Sequence, residues 1–106
     1  MFRYDPDPTF SRNIEIKVPS NDGFSEQSCT ATFRILPVSE SGTYDLSDGG
    51  ASTEFLQRVV IDLGDLVDEN DQPMPYTTEL RDKLLAFAFF RTALARAYFS
   101  AISGNA

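Results

Sequence analysis

The segment from Thr77 or Thr78 to about Ser103 constrains the fold most, because its apolar residues have helical spacing yet surround the helix on every side. At ~100° per residue, one face carries the residues expected to meet a core: Leu80, Leu84, Phe87, Leu94, Tyr98 and Ile102. The remaining directions carry Leu85, Phe89, Phe90 and Phe99. A helix of this kind lies in the centre of a large core or is covered by a partner.

Two interpretations of these extra aromatic residues stay open. In the first, other elements of the chain wrap the helix and leave no ring exposed. In the second, part of the aromatic surface binds a second copy, a client protein, or each in turn, because two rings left in water cost several kcal/mol at ~25 cal/mol per Å². The predicted protein-interaction residues are Leu85, Phe89, Phe90, Arg91 and Phe99. On this second interpretation, the double substitution Phe89→Ser and Phe90→Ser leaves a folded protein that associates more weakly.

Arg91 is the one charged member of the apolar stripe, beside Leu84 and Tyr98 by helical angle. A guanidinium in such surroundings needs a partner. We expect it to pair with an acidic residue of segment 62–71 or to extend towards the edge of the helix.

Two segments with period-two alternation predict an antiparallel β-hairpin. Pro19 ends the first segment, and residues 21–23 (Asn-Asp-Gly) supply a turn. Two strands are marginally stable by themselves, so their apolar face must be covered. The apolar positions are Ile14, Ile16 and Val18 in the first segment and Cys29, Ala31, Phe33 and Ile35 in the second.

A shorter helix is predicted from a cap at Ser52 to an end at Gly64, with Glu54 in its first turn, although the β-branched run 59–61 leaves its second half ambiguous. The residues before it, 37–52, are dominated by turn formers and predict a long surface loop. The predicted fold class is therefore α+β, with an antiparallel hairpin packed on two main helices, the C-terminal one long.

The chain divides into an arm and one domain. Residues 1–11 contain Asp-Pro-Asp-Pro, and such closely spaced prolines favour an extended arm over a helix. Residues 12–106 form the single predicted domain.

The composition excludes most enzyme chemistry. The 106 residues contain no His, no Trp and one Cys, so Cys/His zinc sites and nucleophiles that depend on histidine have no residues to build them. We expect no catalytic residue, no cofactor and no metal. We also expect a soluble cytoplasmic protein, because no signal peptide and no membrane span is visible, and no nucleic-acid partner, because the formal net charge is −7.

Two further candidate sites are weak. Residues 68–79 can be laid on a calcium-binding loop, but Pro73 stands where a glycine is required and Gln72 replaces an Asp or Asn ligand. Cys29 lies on the apolar face of a strand, where a buried inert thiol is expected. We therefore interpret residues 68–79 as an acidic connector.

The acidic residues are concentrated in one part of the chain. Residues 37–78 hold nine of them against Arg58 alone. A solvated face that maintains solubility is one interpretation, and steering of a partner is another. A mimic of nucleic acid is a further alternative, but these acids lie in connectors and not along one rigid face.

Five strings occur in a fixed order and spacing: Thr-Ala-Thr-Phe-Arg (30–34), Phe-Leu-Gln-Arg-Val-Val-Ile (55–61), Val-Asp-Glu-Asn-Asp-Gln-Pro-Met-Pro-Tyr-Thr (67–77), Leu-Leu (84–85) and Arg-Thr-Ala-Leu-Ala-Arg-Ala-Tyr (91–98). Over residues 12–103 they resemble the tail assembly chaperones of long-tailed bacteriophages and prophages. The chain departs from the family pattern at Leu63, where an aromatic residue, usually Trp, is expected, at Ala88, which is often Pro, and in the loop 37–52.

The resemblance implies a non-enzymatic protein that acts in the bacterial host cytoplasm and is absent from the mature virion. Such chaperones bind the tape-measure protein, keep it soluble, help to recruit the tail-tube protein, and self-associate. An alternative is a small structural head–tail or neck component, in which the same helix forms a permanent oligomer interface.

Overall fold

The computed structural model describes residues 1–41 and 49–104. Its strands form an antiparallel sheet in the order in which they follow one another along the chain, and the last helix packs against the first strand. This α+β fold confirms the predicted class and has one strand more than the predicted hairpin. The elements are β1 (Thr9–Ser20), β2 (Gly23–Arg34), α1 (Val38–Ser41), α2 (Gly49–Val59), β3 (Val60–Gly64), α3 (Thr78–Leu85) and α4 (Ala88–Ile102).

The predicted hairpin is confirmed and is longer than the alternation indicates. β1 and β2 pair without a register shift, from Thr9 opposite Arg34 to Ser20 opposite Gly23. Gly23 has a φ of 126°, which a residue without a Cβ adopts at no steric cost. The predicted apolar face is buried at Ile14, Ile16, Cys29, Ala31 and Phe33 and half-buried at Val18 and Ile35.

The hairpin begins inside the predicted arm. β1 starts at Thr9, and the Ile35 amide already donates to the Pro8 carbonyl at 3.0 Å. Arg34 Nε lies 3.2 Å from a carboxylate oxygen of Asp7. The part of the arm that is free of the sheet is therefore shorter than residues 1–11.

The predicted helix between Ser52 and Gly64 ends early, at Val59, and the chain continues as β3. Residues 59–61 are all β-branched, and such side chains lose rotamer freedom in a helix but pack well on a pleated sheet. Leu63 consequently lies opposite Ala31 of β2. The ambiguity noted in this run is resolved in favour of a strand.

Both predicted ends of this helix are wrong. α2 begins at Gly49, so Ser52 lies within it, and Gly64 is the last residue of β3. Ser and Gly favour caps and turns over helix interiors, which made this segment resemble a loop. Of the predicted loop 37–52, residues 38–41 form α1, residues 49–52 belong to α2, and residues 42–48 lie outside the described part.

The long C-terminal helix begins as predicted but is not continuous. Thr77 caps α3, because its Oγ accepts a hydrogen bond from the Leu80 amide at 3.0 Å. α3 ends at Leu85, α4 starts at Ala88, and the two helices are bent by 105°. Helical angles computed over one uninterrupted helix therefore place the two parts wrongly relative to each other.

The core lies between the sheet and the helices, with Tyr98 of α4 near its centre. The Tyr98 ring is fully buried, and its hydroxyl accepts a hydrogen bond from the Leu36 amide at 3.2 Å. Leu94 is the second predicted core residue of α4 that is buried, while Leu80 and Leu84 of α3 are half-buried. The C-terminal segment therefore supplies much of the core, as its apolar content predicts.

Candidate protein-binding surface

The junction between α3 and α4 is a sharp corner formed by one extended residue. Phe87 has φ −95° and ψ 124°, so it stops α3 and precedes the first residue of α4. Its amide donates to the Leu84 carbonyl, and its carbonyl accepts from the amides of Phe90 and Arg91, all at 3.1 Å. The backbone at the corner is thus hydrogen-bonded on both sides.

The Arg91 side chain stabilises this corner by joining α4 to the end of α3. It is half-buried, and Nη1 donates to the Leu85 carbonyl oxygen at 2.9 Å. Leu85 is the last residue of α3, where the helix dipole and unpaired carbonyls favour a cation. The expectation that Arg91 pairs with an acidic residue of segment 62–71 is wrong, since no such ion pair occurs within the described residues.

Two aromatic rings project at the corner and form the candidate surface. The Phe87 side chain is 53% exposed, and Phe89 is half-buried. Their ring centroids lie 5.3 Å apart with an interplanar angle of 30°. We name these two residues the aromatic corner. Adjacent exposed rings on a fixed backbone are typical of surfaces that bind other proteins.

The structure brings four of the five predicted interaction residues to this corner, but not all to its surface. Leu85 is fully buried and Phe90 is 4% exposed, so the expectation that they extend the surface is wrong. Both belong to the hydrophobic core, because the break turns the α4 residues relative to α3. They anchor the corner, Arg91 fastens it, and Phe89 is partly accessible.

Phe99, the fifth predicted residue, belongs to a different place. It is half-buried and stacks on Phe55 of α2, with centroids 5.5 Å apart and an interplanar angle of 11°. It also meets the Tyr98 ring edge-on at 5.1 Å. Ten residues of helix separate it from Phe89, a distance of ~15 Å at the helical rise. Phe99 therefore does not join the aromatic corner.

Sequence reasoning missed Phe87, which it assigned to the core-facing stripe together with Ile102. Both are exposed, at 53% and 43%. A signal for the break was present in the resemblance, which expects Pro at position 88. Ala88 is the first residue of α4, and the first position of a helix is where proline is favoured.

The acidic connector is a folded loop and not an open set of ligands. One carboxylate oxygen of Asp68 accepts from the amides of Asn70 and Gln72, at 2.8 and 3.0 Å. Val67 and Pro73 form a β-bridge across this loop. Within residues 1–41 and 49–104, no group of three or more His, Cys, Asp or Glu side chains is placed to hold a metal ion.

Cys29 has the buried position that was predicted for it. Its side chain is 2% exposed on the core side of β2. Burial, reinforced by the negative charge of Asp65, raises the pKa of the thiol to about 11. The nucleophilic thiolate is therefore scarce at neutral pH.

We expect Cys29 of the folded protein to resist alkylation by iodoacetamide at about pH 8, because both access and thiolate are lacking. In denaturant the same thiol returns to its ordinary pKa and reacts readily. Mass spectrometry of samples quenched over time measures both rates. Equal rates in the two states would contradict the burial described here.

In the described part of the chain, no single helix is both long enough and apolar enough to span a membrane. α3 and α4 have that length and composition only when they are taken together. That pair is bent by 105°.

The aromatic corner, built from Phe87 and Phe89 and positioned by Arg91, is a candidate protein-binding surface on its geometry alone. The resemblance to phage chaperones rests on the strings of residues given above. No family model, no curated protein and no solved structure matches the chain.

Proposed function

We propose that the chain is a tail assembly chaperone of a long-tailed bacteriophage or prophage, which binds other proteins and catalyses no reaction. It acts in the bacterial host cytoplasm, keeps the tape-measure protein soluble, assists addition of the tail-tube protein, and does not remain in the finished virion. The resemblance of residues 12–103 supports this proposal. The observation that carries it is the aromatic corner, whose two rings are accessible beside a buried anchor.

The chemistry of the corner suits a client with apolar helical stripes. Aromatic rings bury a large area with few rotatable bonds, so they bind apolar side chains at a low cost in entropy. Amphipathic helices dock on such surfaces through residues spaced three or four apart. The net charge of −7 keeps the complex dispersed while the apolar surface is in use.

The predicted interaction residues then have separate roles. Phe89, with Phe87, contacts the client, and Leu85 and Phe90 hold the corner from the core. Arg91 is a positioning residue, because it acts through the Leu85 carbonyl. Phe99, half-exposed beside Phe55, offers a second apolar contact farther along α4.

The test is a pulldown from cells that coexpress the tagged chain with the tape-measure protein of the neighbouring phage genes. The double variant Phe87→Ser and Phe89→Ser is expected to recover roughly tenfold less tape-measure protein, a loss of about 1.4 kcal/mol in binding. Phe24→Ser is the matched control, because Phe24 is 68% exposed beside the turn of the hairpin and is not a member of the aromatic corner. Recovery is expected to be unchanged in this control.

Two results would count against the proposal. The first is equal recovery by the double variant and wild type, with both folded by circular dichroism. The second is the presence of the chain in purified finished particles, which would favour the structural head–tail or neck component instead.

A further inference from the structure

β1 is an edge strand, and among the described residues only the Arg12 side chain bonds to its outer backbone, where Nη1 donates to the Ser11 carbonyl at 3.0 Å. The strand spans 12 residues and pairs with β2 on one side only. Within the described residues, no other strand pairs with its outer side. Long open edges invite another strand, and natural proteins usually block them with bulges, prolines or charged side chains, especially lysine. β1 does carry charges, but Arg12, Glu15 and Lys17 are of both signs, so they repel a neighbouring strand only in registers that oppose like charges. β1 has no bulge in its register with β2, and its one proline is the penultimate residue.

The hydrogen-bond phase shows which backbone groups face outward. The bond from the Ile35 amide to the Pro8 carbonyl joins two residues that are opposite in the β1–β2 register. Hydrogen-bonded and non-hydrogen-bonded pairs alternate along an antiparallel ladder. The even-numbered residues of β1 therefore bond to β2, and the odd-numbered residues direct their amides and carbonyls outward. These include Ser11, Asn13, Glu15 and Lys17.

The charges on this edge are complementary to those of a second copy. Antiparallel pairing about a twofold axis at Ile16 places Glu15 opposite Lys17 of the second copy, and does so twice. Opposite charges directly across a strand pair are favourable, and like charges are unfavourable. An axis at Glu15 or at Lys17 would instead oppose two like charges. An axis at Ile14 would oppose Glu15 to Asn13 and form no ion pair.

The sheet already continues this charge pattern. Lys17 lies opposite Glu26 of β2. In the pair, each Lys17 would stand between Glu26 of its own chain and Glu15 of the other. All three residues are exposed, and all three border the groove between β1 and α4. The charged row therefore needs no burial of charge.

A groove of about 530 Å³ runs along this edge between β1 and one side of α4. Its walls combine apolar and charged residues. The apolar ones include Ile14, Ile16, Ala93 and Ala97, and the charged ones are Glu15, Lys17, Glu26 and Arg96. Residues directly opposite in a sheet point to the same face, so the two α4 helices would lie on one side of the joined sheet. The two grooves then face each other across the axis.

The outward backbone groups of β1, the charges of Glu15 and Lys17 and the groove beside α4 are the basis of one proposal. We infer that two copies of the chain pair through β1, antiparallel about Ile16, into a continuous six-stranded sheet. The groove shares Phe89 with the aromatic corner, but the strand register and the charges carry the inference without the proposed function. The occupant of the open edge is a second copy, because only one register satisfies its charges and that register is self-complementary.

The test exchanges the two charges and measures self-association by sedimentation equilibrium at low salt. Wild type is expected to dimerise, and Glu15→Lys and Lys17→Glu are each expected to weaken dimerisation roughly tenfold or more, because two attractive pairs become repulsive. The double exchange, Glu15→Lys with Lys17→Glu, restores both pairs between the chains and is expected to recover most of the affinity, because only the contact of position 17 with Glu26 inside each chain stays unfavourable. An equimolar mixture of the two single variants is expected to form a heterodimer, which a misfolded variant could not do.

Three results would overturn the inference. One is a wild-type chain that stays monomeric at every concentration. Another is single variants that dimerise as tightly as wild type, which would place the contact elsewhere. The third is a monomeric wild type whose Glu15 and Lys17 amides gain protection from hydrogen exchange only when another protein is added. That result would assign the edge to a strand of a different partner.

Discussion

Replacing Tyr98 by alanine is expected to remove about 3–5 kcal/mol from the free energy of unfolding. The ring is fully buried and meets four others, so its loss leaves a cavity lined by aromatic residues. The centroid distances are 6.0 Å to Phe10, 5.7 Å to Phe33, 5.2 Å to Phe55 and 5.1 Å to Phe99. Domains of this size unfold at a cost of ~5–15 kcal/mol, so this variant loses a large share of its stability.

The Tyr98→Phe variant separates the ring from its hydroxyl. It keeps the packing but leaves the buried Leu36 amide without the acceptor that it has at 3.2 Å. An unpaired buried donor costs roughly 1–3 kcal/mol, so the expected loss is smaller than in Tyr98→Ala. Urea unfolding followed by circular dichroism gives both values. Equal losses in the two variants would contradict the packing role of the ring.

The hairpin could be predicted from the sequence because its signal is local. Ile14 and Ile16 alternate with polar residues, and this alternation alone specifies a strand with one buried face. The helix cap at Thr77 could also be predicted, because a threonine just before a helical pattern commonly accepts a hydrogen bond from the amide three residues later. Burial of Cys29 followed from its place in the second alternating run.

The third strand and the helix break could not be predicted from local pattern. Residues 59–61 are compatible with either a helix or a strand, and the choice depends on pairing with β2 more than twenty-five residues earlier. The break at Phe87 has no proline or glycine to announce it. It is stabilised by Arg91, whose contact with Leu85 exists only after the corner has formed.

The sequence therefore indicates the region of the candidate surface but not which of its residues are accessible. The aromatic excess in the sequence points to the junction of α3 and α4, where the predicted Leu85, Phe89, Phe90 and Arg91 lie close together. Their division into buried and accessible members depends on a bend of 105°. The angles of one straight helix predict that Phe87 faces the core and Phe90 faces outward. In the structure Phe87 is exposed and Phe90 is buried.

The pair Phe90→Ser and Phe87→Ser tests this difference, with the same substitution three residues apart. Phe90 is 4% exposed in the core, so its replacement is expected to cost about 3–5 kcal/mol. Phe87 is 53% exposed, and its replacement is expected to change the free energy of unfolding by less than ~0.5 kcal/mol. Urea unfolding of the two variants beside wild type measures both.

The outcome also decides what becomes of the double variant Phe89→Ser and Phe90→Ser. A straight helix predicts that it stays folded, whereas the bent pair predicts that its loss of stability comes mainly from Phe90. At roughly 4–8 °C per kcal/mol, Phe90→Ser would melt at least ~12 °C below wild type. A Phe90→Ser variant as stable as Phe87→Ser would show that the α3–α4 corner is absent in solution and that both rings lie on one exposed face.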